Sequence, residues 1–208
     1  MEVVCGSSAA PCFRCLTDPC NARQDMIEYH KRPQWKGAIQ TMLELRKMNY
    51  EDIVEQWKYI TLLPANENGL TNPYEGVSFD IYKDSVLPEL MMHENPVHMP
   101  DWFVPETYYY LWEDNRLLGE FRIRHYLTEA LKTGAGHIGY SIQRDSRGKG
   151  YGTKGLALAL ALAKKIVPED EIYLRVEKTN LPSFRAICKN GAYVAGEDDL
   201  HYLLRIKK

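Results

Sequence analysis

Net charge and long apolar runs are both scarce in this 208-residue chain. A formal charge of −2 gives no reason to expect nucleic acid as a partner, because capture of a phosphate backbone draws on a basic excess. No apolar run approaches the roughly 20 residues a membrane span needs. The first residues lack a basic stretch followed by an apolar core, so no secretory leader is expected. The chain therefore reads as cytoplasmic, with no nucleic-acid and no membrane partner. Cysteine is sparse as well. Of the five, Cys5, Cys12, Cys15 and Cys20 crowd into the first twenty residues and Cys188 stands alone. An odd count in a cytoplasmic chain argues against a disulfide framework. Cys12-x-x-Cys15 with Cys20 and His30 has the residue types of a metal site, but a second pair at finger-like spacing is lacking, so none is expected.

What the chain does have is enough apolar content, 45%, to build one domain with a sizeable core. Residues 1–41 mix Cys, Pro, Ser, Arg and His without a sustained period and read as a loosely ordered N-terminal extension; residues 42–208 read as the folded domain. A strand is expected around Met42, then a helix carrying Ile53, Val54, Trp57 and Ile60 at helical spacing. "NENG" is read as the end of that helix. Ser78 is placed to cap a second helix, which Pro88 would kink. Two strands joined by the turn "EDNR" follow, "TYYYLW" and "LLGEFRIRHYL", then the strand "HIGYSIQ". A glycine-rich stretch, an Ala/Leu helix, the strand "IYLRVE", a short helix stopped at Gly191 and two closing strands complete the order. The helix between the strands at 137–143 and 172–177 predicts a parallel crossover within an otherwise antiparallel sheet, an α/β arrangement.

The informative segment is "IQRDSRGKGYGTKGLALALALAKK", Ile142 to Lys165, with Gly148, Gly150, Gly152 and Gly155 running into a helix. A strand, a glycine turn and a helix start make an anion site. Free backbone N–H groups point outward, the helix dipole adds positive potential, and missing side chains allow close approach. Arg147 and Lys149 would add cationic help. Gly150, Gly152 and Gly155 match G-x-G-x-x-G literally, but four polar residues, Arg144 to Arg147, separate them from the strand, unlike a dinucleotide turn. The Walker pattern fails because Thr153 stands where its second glycine belongs.

"RDSRGKGYGTKGLALALAL" resembles the acetyl-coenzyme A signature of the GNAT superfamily of N-acetyltransferases, Arg/Gln-x-x-Gly-x-Gly/Ala, on Arg147, Gly150 and Gly152. Asn180, Ser183, Lys189 and Gly191 stand where that family carries an asparagine, a small residue, a basic residue and a glycine. The resemblance covers about Met42 to Lys208. It implies a GNAT-like mixed, mostly antiparallel sheet flanked by helices and splayed between the fourth and fifth strands. It also implies acetyl-coenzyme A as co-substrate, a small-molecule amine or peptide as acceptor, and is compatible with a homodimer. The pantetheine arm would pair with the edge at Tyr140–Gln143, Ile142 and Gln143 included. The pyrophosphate would lie on Arg147, Gly148, Lys149, Gly150, Tyr151, Gly152 and Thr153, with Asn180 and Ser183 facing the arm. The resemblance implies direct transfer, the amine attacking the thioester. Many members carry a tyrosine, the proposed acid, seven residues after the asparagine; here that residue is Ile187. Tyr140, Tyr193 or water would then donate the proton, or the thiolate would leave unassisted. Glu120, His125 and His137 are candidate bases, since a carboxylate or imidazole of suitable pKa can take the amine proton. Tyr108, Tyr109, Tyr110, Trp102 and Trp112 could line an acceptor pocket or simply pack. Two rival readings are a non-catalytic acetyl-coenzyme A-binding regulator and a nucleotide-binding oxidoreductase.

Overall fold

The structure is a computed structural model that describes residues 42–95, 100 and 103–208. The early cysteines, His30 and Trp102 lie outside the described residues, as does the whole of the expected extension. Strand β1 (Leu43–Lys47) leads to helix α1 (Ile53–Leu62), which starts after Asn49 folds its side chain onto the backbone N–H of Asp52. A small hairpin follows, β2 (Asn66–Glu67) and β3 (Leu70–Thr71). Its two turn residues, Asn68 and Gly69, have φ of 52° and 79°, the left-handed pair that an Asn-Gly hairpin turn requires. "NENG" is therefore a turn between strands and not only a helix stop.

Helix α2 is a composite of Phe79–Ile81, a π-helical stretch Tyr82–Val86 and Leu87–Met92. Ser78 caps it, accepting from the N–H of Ile81 at 3.4 Å. Just before Pro88 the helix widens into the π turn, where the Leu87 N–H donates to the Tyr82 carbonyl. Strands β4 (Glu106–Glu113) and β5 (Arg116–Arg124) then pair, and helix α3 (Glu129–Thr133) leads to β6 (Ile138–Ile142). Helix α4 (Tyr151–Ile166) connects to β7 (Glu171–Glu177), α5 (Leu181–Lys189), β8 (Tyr193–Glu197) and β9 (His201–Lys207).

The strands fall into one sheet in the order β1-β4-β5-β6 and another in the order β7-β9-β8, with every ladder antiparallel. The split lies between β6 and β7, the fourth and fifth main strands, as expected. The expected parallel ladder across it does not form. The sheets touch at one isolated bridge, Gly136 to Leu174, also antiparallel, supported by the His137 N–H donating to the Tyr173 carbonyl at 2.7 Å.

Two apolar layers follow from strand alternation. Leu111, Phe121, Ile123 and Ile138 face α4 and pack on Leu156, Ala159, Leu160 and Ala163, which recur at helical spacing. Each buried leucine there contributes about 1.5–3 kcal/mol. Gly155 sets the spacing, for a Cβ there would lie 2.5 Å from the Phe121 ring. On the other face Tyr108, Tyr110 and Trp112 pack with Tyr59, Ile60, Tyr82 and Leu87 of α1 and α2. A bulge between Leu111 and Trp112 shifts the β4–β5 register, so Leu117 joins this second layer while Leu118 joins the first.

Candidate active site

On the side away from β5, no strand among the described residues pairs with β6, and a cleft of about 460 Å³ opens along it. One wall is the glycine stretch. After β6 the chain makes a 3-10 turn, Arg144–Ser146, and then needs two left-handed residues to enter α4. Gly148 (φ 76°) and Gly150 (φ 83°) supply them, and a Cβ at either would meet open space. Their absent side chains thus serve the backbone path, while Gly155 serves helix–sheet contact. Gly152 and Thr153, in the first turn of α4, line the cleft with their helix-start N–H groups unclaimed by any side-chain cap.

The opposite wall is α5. Asn180 caps it, its Oδ1 accepting from the Ser183 N–H at 3.2 Å. Asn180 and Ser183 both line the cleft, as do Arg185 and Lys189 one helical turn apart. Arg185 and Lys189 have no ion-pair partner among the described residues, so this wall is cationic. Lys189 holds the basic position that the family resemblance marks after Asn180, whereas Arg185 was missed, although its i, i+4 spacing to Lys189 is visible in the sequence. The third wall is the β2–β3 hairpin, through Glu67, Asn68 and Leu70.

Several expected cofactor residues have other duties. Arg147 lines the cleft but is engaged: its Nε donates to the Ile142 carbonyl at 2.8 Å and its guanidinium grips the Glu67 carboxylate, Nη1 to Oε1 at 2.8 Å. That hydrogen bond holds the Glu67 carboxyl below the usual glutamate range. Lys149 folds back onto the Asp145 carbonyl at 2.8 Å, and the Tyr151 hydroxyl donates to Glu113 at 2.7 Å. Neither side chain lines the cleft, nor does Gln143, whose N–H is spent on the Leu118 carbonyl. Ile142 and Gly148 do line it.

Tyr140 projects from β6 toward α5. Its ring stacks on Phe121 (centroids 5.2 Å apart, planes within 2°) and its hydroxyl shares a hydrogen bond with Ser183 Oγ at 2.9 Å. Burial raises its pKa, so it stays a proton-bearing phenol at neutral pH. It also borders a second cavity of about 100 Å³ that shares Asn68, Leu70, Tyr140, Asn180 and Ser183 with the first. The two cavities meet at the Tyr140–Ser183 pair. Ile187, where related chains carry tyrosine, is buried beneath and borders the second cavity.

Glu120 of β5 faces the aromatic layer and pairs across the strands with Tyr110 and Ser141. It borders neither cavity, and its carboxyl has no hydrogen-bond or ion-pair partner among the described residues. Burial pushes its pKa up to about 7, with Arg122 pulling it down and Glu106 pushing it up. Between Glu120 and the cleft stands Ser141, whose carbonyl and Oγ meet the Tyr59 hydroxyl at 3.0 and 2.8 Å. The other candidates are placed elsewhere. His137 is fully buried at the bridge between the sheets. Its Nδ1 accepts from the Tyr173 N–H at 2.9 Å, its Nε2 lies 3.3 Å from Glu169, and it borders neither cavity. As a base it is mispositioned, and burial lowers its pKa. His125 Nε2 meets Thr107 Oγ1 at 2.8 Å. Tyr193 reaches Glu171 on the outer face, and Tyr108, Tyr110 and Trp112 are packing residues in the buried layer. Among the described residues no group of ligating side chains is arranged for a metal, and no helix is long and apolar enough to cross a membrane.

No curated protein is significantly similar in sequence. Solved structures share the fold. RimJ of Mycobacterium smegmatis, in complex with CoA-disulfide, is 21% identical with a TM-score of 0.56, covering 79% of this chain and 81% of that one. Spermidine N-acetyltransferase of Vibrio cholerae, in complex with CoA and spermine, is 17% identical with a TM-score of 0.53, covering 79% and 95%. Ribosomal-protein-S5-alanine acetyltransferase of Vibrio fischeri is 16% identical with a TM-score of 0.57, covering 79% and 92%. The acetyltransferase (GNAT) domain family matches residues 90–193, which hold β4 to β6, the glycine stretch, α4, β7 and α5, so the chain belongs to the GNAT family of acetyl-coenzyme A-dependent N-acetyltransferases.

Proposed function

We propose that the chain moves the acetyl group of acetyl-coenzyme A directly to an amine, with the donor in the larger cleft and the thioester at Tyr140. The observation that carries this reading is the meeting of two cavities at one proton-bearing phenol, with a helix start on one side and a cationic helix face on the other. The pyrophosphate rests on backbone N–H groups at Gly152 and Thr153, aided by Arg185 and Lys189. Asn180 keeps its Nδ2 for an amide carbonyl of the pantetheine arm, since its Oδ1 caps the helix. As the amine attacks, the C–N bond forms and the C–S bond breaks. Tyr140 gives its proton to the departing thiolate, the part that Ile187 lacks the chemistry to play. Glu120, the cross-strand neighbour of the cleft-lining Ser141, is the carboxyl we assign to receive the amine proton, its raised pKa suiting a base that works near neutrality. Acetyl transfer in a GNAT domain does not favour the regulator or oxidoreductase reading.

Gly152→Asp tests the donor site. A Cβ there meets only ordinary contacts at 3.7 Å, and an acidic residue in the first helical turn favours the helix, so the fold is retained. We expect calorimetry to give at least tenfold weaker coenzyme A binding, about 1.4 kcal/mol, with an unchanged melting temperature. Tyr140→Phe should bind the cofactor normally and lose kcat by about 10²-fold. Unchanged affinity in the aspartate variant would remove the donor assignment.

A further inference from the structure

The smaller cavity is charged in an uneven way. Its β5 wall carries Arg122 and Arg124, and both guanidinium groups share one buried carboxylate, Glu106, with Nε–Oε2 distances of 3.6 and 3.5 Å. Glu106 is held ionised. Burial pushes its pKa up, but His93, the two guanidinium groups and the Tyr108 hydroxyl, donating at 2.8 Å, bring it down to about 2. Two cations therefore face one fixed anion. The next carboxylate in reach, Glu120, is kept partly protonated near neutrality by burial. Arg122 is also short of partners. Its Nε is buried without a hydrogen bond, and its Nη1 reaches only the Tyr108 hydroxyl at 3.5 Å. Gly139 leaves the guanidinium uncovered, since a Cβ there would stand 3.7 Å from Nη2.

The facing wall, β7, brings Glu177 together with Arg175, and His201 of β9 also borders the cavity. The Glu177 carboxylate has no hydrogen bond or ion pair among the described residues. The Asn68-Gly69 turn closes over it, with an added Cβ at Gly69 falling 3.0 Å from Glu177 Oε1. A surplus positive wall and an unclaimed carboxylate thus face each other across about 100 Å³, beside the Tyr140–Ser183 pair.

Resting on the acetyl-transfer reading above, we propose that this cavity takes the acceptor and that the acceptor is a small zwitterion of the α-amino acid type. Its carboxylate is received by Arg122 and Arg124, and its ammonium by Glu177 next to the thioester. A purely cationic acceptor would have to lie against the two guanidinium groups, whereas a zwitterion balances both walls. Of the two protons the ammonium loses, one leaves through the base and the other is matched by the proton that coenzyme A takes up as its thiol. The nitrogen gains the acyl carbon as sulfur releases it.

The test uses the full chain, acetyl-coenzyme A and pairs of acceptors that differ only in the carboxylate: each common L-amino acid against its decarboxylated amine, with thiol release and product mass as readouts. At least one amino acid is expected to exceed its amine by about 10²-fold in kcat/KM, the discrimination that an unmatched buried guanidinium imposes. Glu177→Gln is expected to raise the KM of that amino acid tenfold or more while coenzyme A affinity by calorimetry stays within twofold. Arg122→Lys, which keeps a cation beside Glu106, should narrow the gap between the paired acceptors. Equal or better use of the amines, no amino acid accepted by a chain that binds coenzyme A, or an unaltered Glu177→Gln overturns the acceptor inference alone. Failure of the parent chain to bind coenzyme A removes the donor reading beneath it.

Discussion

A carboxyl that titrates near neutrality leaves a trace in stability as well as in rate. Glu120 is raised from an ordinary 4.5 to about 7 by burial, so the folded chain keeps its proton through a pH range in which the unfolded chain has lost it. Stability tied to this group is complete below about 4.5 and declines as pH rises through about 7. Glu120→Gln is therefore expected to be more stable than the parent above pH 7, by roughly 1–3 kcal/mol in denaturant melts, with the difference vanishing in acid. If Glu120 is also the base, the same variant loses the rising limb of kcat/KM with an apparent pKa near 7; a gain in stability with that limb intact would make it a buried acid only. Little of this was legible in the sequence. Alternation lists which residues share a face but not which face meets the cleft, and the bulge at Leu111/Trp112 changes the parity partway along the ladder. Hence Glu120, His125 and His137 looked equivalent as bases, although His137 is a bracket between sheets. Tyr140 could be nominated because Ile187 vacates the usual tyrosine position, yet its bond to Ser183 depends on the angle between β6 and α5, which no local pattern encodes.

Among the elements, the glycine stretch was the most readable, because left-handed turns and helix starts leave a local mark. The reasons for its glycines divide more finely than the pattern suggests. Gly148 and Gly150 answer to φ, whereas Gly155 answers to distance. Gly155→Ala should drive its methyl into Phe121 and Leu111, at 2.5 and 2.9 Å, and destabilise the domain by about 1–3 kcal/mol. Since Tyr140 stacks on Phe121, the strain should reach the site: kcat is expected to fall further than coenzyme A affinity, a split that parallel melting, calorimetric and rate measurements on the variant would reveal. The β2–β3 hairpin was legible in principle and misjudged. Asn68-Gly69 is a strong hairpin signal, but the flanking strands are two residues each, too short for any periodicity to declare them. The π turn in α2 carries no sequence mark beyond Pro88.

At the level of the whole molecule, the split sheet follows from the meeting of short and long ranges. The order of strands was predictable, the antiparallel pairs largely so, and the expected parallel ladder was replaced by a single contact at Gly136 and Leu174. His137 carries that junction, so its loss should loosen the two sheets. Burial lowers its pKa below the ordinary 6.5, which means its share of stability is present above that value and lost as pH falls. His137→Ala is expected to lose about 2–4 kcal/mol at pH 8. The gap to the parent should shrink in acid, while kcat per folded molecule stays within a few-fold. A collapse of kcat in well-folded protein would return the imidazole to catalysis.

Glu67 and Arg147 stand 80 residues apart in the chain and face each other across the cleft. A phosphate that takes Arg147 must displace Glu67, the hairpin carboxylate that it grips. A phosphate that leaves the pair intact meets only backbone amides, Arg185 and Lys189. In either case Arg147 is no vacant cation waiting for a ligand. Any anion it gains is traded for one it already holds, so whatever it contributes to holding a phosphate is the difference between two ion pairs.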